Sequence, residues 1–72
     1  MLTIDLYLHE DNKADTFPDG KTKLKVVLPE VPHKGSEVVL QFEKTSQAYE
    51  VRTVIWQVSP TDTKIELLLE AL

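Results

Sequence analysis

Leu2-Thr3-Ile4-Asp5-Leu6-Tyr7-Leu8-His9 alternates apolar and polar residues without a break. Successive side chains of an extended chain point to opposite faces. Leu2, Ile4, Leu6 and Leu8 therefore share one side and Thr3, Asp5, Tyr7 and His9 the other, which predicts a half-buried strand. Working outward, Lys23 to Leu28 repeats the pattern, with Leu24, Val26 and Leu28 on one face and Lys23, Lys25 and Val27 on the other. The two runs read as a hairpin joined by a long loop, Glu10 to Thr22, whose one large apolar residue is Phe17. Pro18 presets φ for a turn and Gly20 accepts a left-handed conformation, so the chain reverses at Phe17-Pro18-Asp19-Gly20.

Beyond Leu28, Pro29 and Pro32 remove two backbone donors and Gly35-Ser36 supplies turn chemistry, so residues 29–36 do not form a central strand. A third strand starts near Glu37, with Val38, Leu40 and Phe42 opposed to Val39, Gln41 and Glu43; Lys44 to Gln47 is a polar turn. The next run is out of step with itself. Tyr49 and Val51 share a face, yet the apolar series resumes at Val54, Trp56 and Val58, one residue late. Such a slip predicts a β-bulge or sharp bend near Arg52-Thr53. After a turn at residues 59–63, Ile65, Leu67 and Leu69 alternate with Glu66, Leu68 and Glu70 in a last strand. Ile65, Leu68, Leu69 and Leu72 also fit helical spacing, so a short C-terminal helix is the alternative for the tail.

Five short strands joined by turns, with a bulge that lets one of them bend, predict an all-β fold. The expected form is a single domain over residues 1–72, a small five-stranded antiparallel, partly open barrel or sandwich. A long first loop, a Pro- and Gly-bearing second loop and then tighter turns make a layout similar to that of SH3-like small barrels over most of the chain. The acidic-aromatic start and paired tryptophans of peptide-binding SH3 domains are absent.

Composition narrows the function classes. With 72 residues and no cysteine, the chain has no disulfide or thiolate metal site, and stability rests on packing or self-association. The absence of cysteine suits a reducing cytoplasm. The start alternates rather than forming the basic and apolar regions of a secretory leader. Near the C-terminus the longest apolar run is Leu67-Leu68-Leu69, against about 20 residues for a membrane span, so no membrane partner is expected. Twelve acidic residues against eight basic ones give a net charge of -4, which disfavours nucleic acid.

Catalytic signatures are missing. Ser36, Ser46 and Ser59 lie in turn segments without a nucleophile elbow, and two separated glycines, Gly20 and Gly35, do not make a phosphate loop. His9 and His33 flank the first hairpin with Glu10, Asp11 and Glu30 nearby, but the spacing matches no metal-ligand pattern. In Asp11-Asn12-Lys13-Ala14-Asp15, Lys13 stands where a calcium loop needs an oxygen. The expectation is a protein that is not an enzyme and has no cofactor or metal.

What remains is apolar surplus. Val27, Val39, Leu68 and one of Ile55 or Trp56 fall on positions that should face solvent. The reading that follows is a non-enzymatic protein-interaction or self-association module. It contacts a protein partner or a second copy through Trp56, Phe17, Val27 and Leu68. Phe17 either packs on the barrel end or is exposed as a contact, and Trp56 is either core or contact. The rival is a small-barrel binder of single-stranded nucleic acid, using Tyr7 with Lys23 and Lys25 as a stacking and phosphate-contacting face.

Overall fold

The computed structural model describes residues 1–72. Each alternating run forms a strand: β1 (Leu2–Leu8), β2 (Lys23–Leu28), β3 (Glu37–Gln41), β4 (Ser46–Val58) and β5 (Thr63–Ala71). The tail is extended, which sets aside the helical alternative. There the apolar alternation of Ile65, Leu67 and Leu69 meets a matching row on both neighbouring strands, and such packing overrides the helix propensity of Glu and Leu.

The strands make one sheet in the order β2-β1-β5-β4-β3, curled into a half-barrel. The first hairpin pairs as expected, with Ile4 opposite Val26 and Leu6 opposite Leu24. The sheet is mixed rather than wholly antiparallel, because β5 runs parallel to β1, with Ile4 beside Ile65 and Leu8 beside Leu69. The cause lies in the connection of residues 29–36. It carries the chain from one edge strand, β2, to the other, β3, and the β3-β4-β5 meander then returns to the open side of β1. Curling is what makes that crossing short. Four inter-strand gaps laid flat span about 19 Å, close to the reach of an eight-residue loop at roughly 26 Å fully extended.

The phase slip in β4 is a bulge. Val51 lies opposite Leu69 and Thr53 opposite Leu68, which leaves Arg52 as the extra residue. Beyond it Val54 and Trp56 sit opposite Leu67 and Ile65, so the bulge returns the second half of β4 to the apolar face.

The buried core is small: Ile4, Leu6, Phe17, Tyr49, Val51, Ile65, Leu67 and Leu69. Leu8, Leu24, Val26, Leu28, Val31, Val38, Leu40, Phe42 and Val54 pack around it, half-buried. Seven of the eight core residues come from the concave face of the sheet. The eighth, Phe17, is supplied by the long loop and meets Tyr49 edge-on at a centroid separation of 5.7 Å. At 1% exposure it is core, which removes it from the contact residues expected from sequence.

Residues 9–22 are therefore an ordered flap. The Gly20 amide donates to the Phe17 carbonyl and the Phe17 amide to the Lys21 carbonyl, closing a turn in which Gly20 has φ of 85°. Asn12 ties the flap to the sheet by accepting from the Ala71 amide at 2.8 Å through Oδ1. Arg52, at the bulge, bonds Glu70 and reaches Asp11 of the flap at 3.5 Å.

Candidate functional site

The register lines up side chains in rows across the concave face. One row is Val26, Ile4, Ile65 and Trp56, across β2, β1, β5 and β4. The neighbouring row toward the start of β1 begins with Leu28 and Leu2 and ends with Thr63 and Val58. At this end the sheet is covered only in part: the connection of residues 29–36 leaves from Leu28 and packs Val31 against the core, but the β4 side stays open. Trp56 is 55% exposed, Val58 74% and Leu2 36%, with Met1 exposed beside them in sequence and Leu28 half-buried. Ile65, in the same row as Trp56, is buried, so the boundary between core and surface runs through a single line of side chains.

The β4–β5 hairpin explains the exposure. β3 pairs only with residues 46–50 of β4, and β1 reaches β5 only as far as Ile65. The hairpin tip, where Gln57 faces Lys64 and Val58 faces Thr63, is a two-stranded ribbon with no third strand on either side. Past Val51, no loop or turn backbone group bonds to β4 on the side away from β5 before Ser59. Trp56 thus has the phase of a core residue and the position of a surface one.

The other residues expected as partner contacts do not join Trp56. Val27 is exposed on the convex face, opposite Thr3 of β1. Leu68 is half-buried on that same convex face between Tyr7 and Thr53. Ile55 is the residue that the bulge turns to the convex side, opposite Glu66. Sequence reasoning named Trp56 and missed Leu2, Leu28 and Val58. Their signal was available, since Val58 shares the phase of Trp56, and Leu2 and Leu28 end the two alternations that pair with each other.

Tyr7, Lys23 and Lys25 do converge on the convex face. Lys23 lies opposite Tyr7, its Nζ 5.9 Å from the ring centroid, and Lys25 lies opposite Asp5. The same Lys23 nitrogen is 3.7 Å from Asp5, and the Asp5 carboxylate, then Tyr7, raises the pKa of Lys23. Glu66 adjoins Asp5 on the other side. Each lysine thus has an acidic neighbour, and the Tyr7 ring already carries a cation over it.

The flap end holds the remaining polar cluster. The Asp11 amide donates to Nδ1 of His9 at 3.1 Å, and the Arg52 guanidinium, held by its hydrogen bond to Glu70, has its pKa raised further by the nearby carboxylates of Asp11 and Glu50. Tyr49 under the flap has its hydroxyl pKa raised by burial, then by Asp19. No group of three or more His, Asp or Glu side chains is arranged to hold a metal ion, and no helix is long and apolar enough to cross a membrane. No protein-family model, curated protein or solved structure matches the chain.

Proposed function

We propose that this chain is a non-enzymatic protein-interaction module whose contact surface is the open end of the concave face: Trp56, Val58, Leu2 and Leu28. The observation that carries this reading is the contrast within one row of the sheet, where Ile65 is sealed and Trp56 beside it is half exposed. A large aromatic flanked by uncovered aliphatic residues is the composition of an interface centre, because desolvating it releases much apolar area without leaving a charge unpaired. The convex face lacks this continuity, since Val27 and Val39 sit at opposite edges of the sheet with charged residues between them.

The test is Trp56→Ala. It is expected to leave the far-ultraviolet circular dichroism of the domain unchanged while weakening its association, read by sedimentation and by affinity capture, at least 30-fold, about 2 kcal/mol for a central aromatic. A wild-type chain that stays strictly monomeric and captures no protein overturns the proposal.

A second reading, binding of single-stranded nucleic acid, is favoured by one observation, the convergence of Tyr7, Lys23 and Lys25 on one face. Asp5 and Glu66 on that face weigh against it. Titration with labelled single-stranded DNA and RNA at low and moderate salt separates the two readings, because phosphate contacts weaken steeply as salt rises. No binding at low salt removes the second.

A further inference from the structure

Resting on the reading of the open end as an interaction surface, we propose that its occupant is a second copy of this chain. The two copies pair antiparallel through the free edge of β4 at Thr53–Val58 about a two-fold axis.

Besides the two-residue Thr63–Lys64 end of β5, which carries a lysine, the sheet has three free edges, and they are guarded unequally. β2 carries Lys23 and Lys25 and is followed by Pro29; β3 is five residues long, begins with Glu37 and is followed by Glu43-Lys44. Charges, prolines and shortness are what keep an edge from pairing with another chain. Thr53-Val54-Ile55-Trp56-Gln57-Val58 has none of them: six consecutive residues without charge, proline or glycine, rich in β-branched and aromatic side chains.

Self-pairing fits this edge in faces and charge. In the antiparallel register centred on Trp56, which keeps both concave faces on one side, Val54 and Val58 lie against Val58 and Val54 of the copy and Trp56 against its own mate, so the two open ends become one apolar floor. No charge within Thr53–Val58 meets its like. The nearest acid, Glu66 opposite Ile55, lies one strand in from the edge and shares the convex face with Lys64 opposite Gln57, so the two charges offset. Glu50, with Glu37 and Glu70 beside it, lies five residues before Ile55, about 16 Å along the strand, beyond the screening length of about 8 Å at physiological salt. The net charge of -4 on each copy is therefore little felt at the contact.

The accessible surface is 5074 Å². A compact monomer of 8.2 kDa exposes about 4,500 Å² by the general scaling. The excess of about 500 Å² belongs to the whole molecule, and the ribbon of residues 56–64, exposed throughout, contributes to it. A two-fold contact also uses the one unguarded edge in each copy and leaves the guarded edges outward, so assembly stops at two.

The experiment is sedimentation velocity on the full chain from 1 to 500 μM, with Trp56→Lys, Val58→Lys and the convex-face control Val27→Lys, each checked for fold by circular dichroism. Expected is a concentration-dependent dimer, with dissociation raised at least 30-fold by Trp56→Lys and clearly by Val58→Lys, and unaltered by Val27→Lys. Val58 is so exposed that its substitution stays informative if Trp56→Lys fails to fold. Hydrogen exchange is expected to show amides within residues 53–58 gaining protection as the dimer forms. Three results overturn the proposal. A wild-type monomer at 500 μM that captures another protein through Trp56 does so while sparing the interaction reading. A dimer weakened by Val27→Lys but not by Val58→Lys moves the contact to another face. A monomer that captures nothing removes both proposals together.

Discussion

The two ends of the concave face are built from the same strands and finished differently. At the end of Leu8, Leu69 and Tyr49, the flap folds over the sheet, inserts Phe17 and is tied down by Asn12 and Arg52. At the end of Leu2, Leu28 and Trp56, the chain supplies only Val31 of the connection after Leu28, and Trp56 and Val58 stay exposed. The difference is not one of composition, since both ends present an aromatic residue among aliphatic ones. It teaches that in a domain this small, burial depends on whether a loop is long enough to supply a lid. Residues 9–22 supply one, while residues 29–36 are consumed in crossing from β2 to β3.

The most forceful way to break the comparison is to remove the lid. Phe17→Ala leaves a cavity against Tyr49 and is expected to cost about 3–5 kcal/mol, a large share of the stability of a domain this size. Urea denaturation measures it, and a loss below 1 kcal/mol would mean that the flap does not seal the core. Trp56→Ala, the same kind of truncation at the open end, is expected to cost the monomer less than half as much in the same assay, because half of that side chain already faces water. Equal costs would erase the distinction between the ends.

A finer probe is pH. The neutral Tyr49 hydroxyl is favoured in the folded state, so its folded pKa lies above the unfolded value near 10. The group's contribution is complete below that unfolded value and is lost as pH rises through the raised folded one. Thermal melts above pH 10 are therefore expected to fall more steeply for the wild type than for Tyr49→Phe. Parallel curves would show that the ring is not sealed by the flap. The smallest effect is expected from Arg52→Gln, which unties the flap from the bulge: amides of residues 11–16 exchange faster while the melting temperature moves by a few degrees at most. No change in exchange would leave Asn12 as the only tether.

Much of this contrast was legible in the sequence. Two-residue alternation marked out five strands, with a helix left as the alternative for the tail and the outward choice between Ile55 and Trp56 left open, and the late return of the apolar series at Val54 placed the bulge. Phe17, alone among polar neighbours, was visible as the anchor of its loop. The pairing partners were not legible. Alternation says which side chains share a face but not which strand lies alongside, so the parallel union of β1 with β5 emerged only from the path of residues 29–36. The exposure of Trp56 was hidden for a related reason. Its phase is that of Val54, which the bulge sets on the same face as Val51, and only the shortness of β3 and the reach of β1 leave it uncovered.

Arg52 makes the polarity of the whole domain hang on one inserted residue. Were it paired opposite Leu68 as an ordinary strand residue, the stretch from Thr53 onward would slip by one step: Ile55 and Gln57 would turn inward while Trp56 and Val58 swing to the back of the sheet, near Lys64 and Glu66, whereas deleting it leaves Val51, Thr53 and Val54 in regular alternation and the faces as they are. Losing that codon would thus straighten the strand without changing which side of the molecule is adhesive, whereas one residue gained beside it that the bulge did not absorb would reverse the two sides.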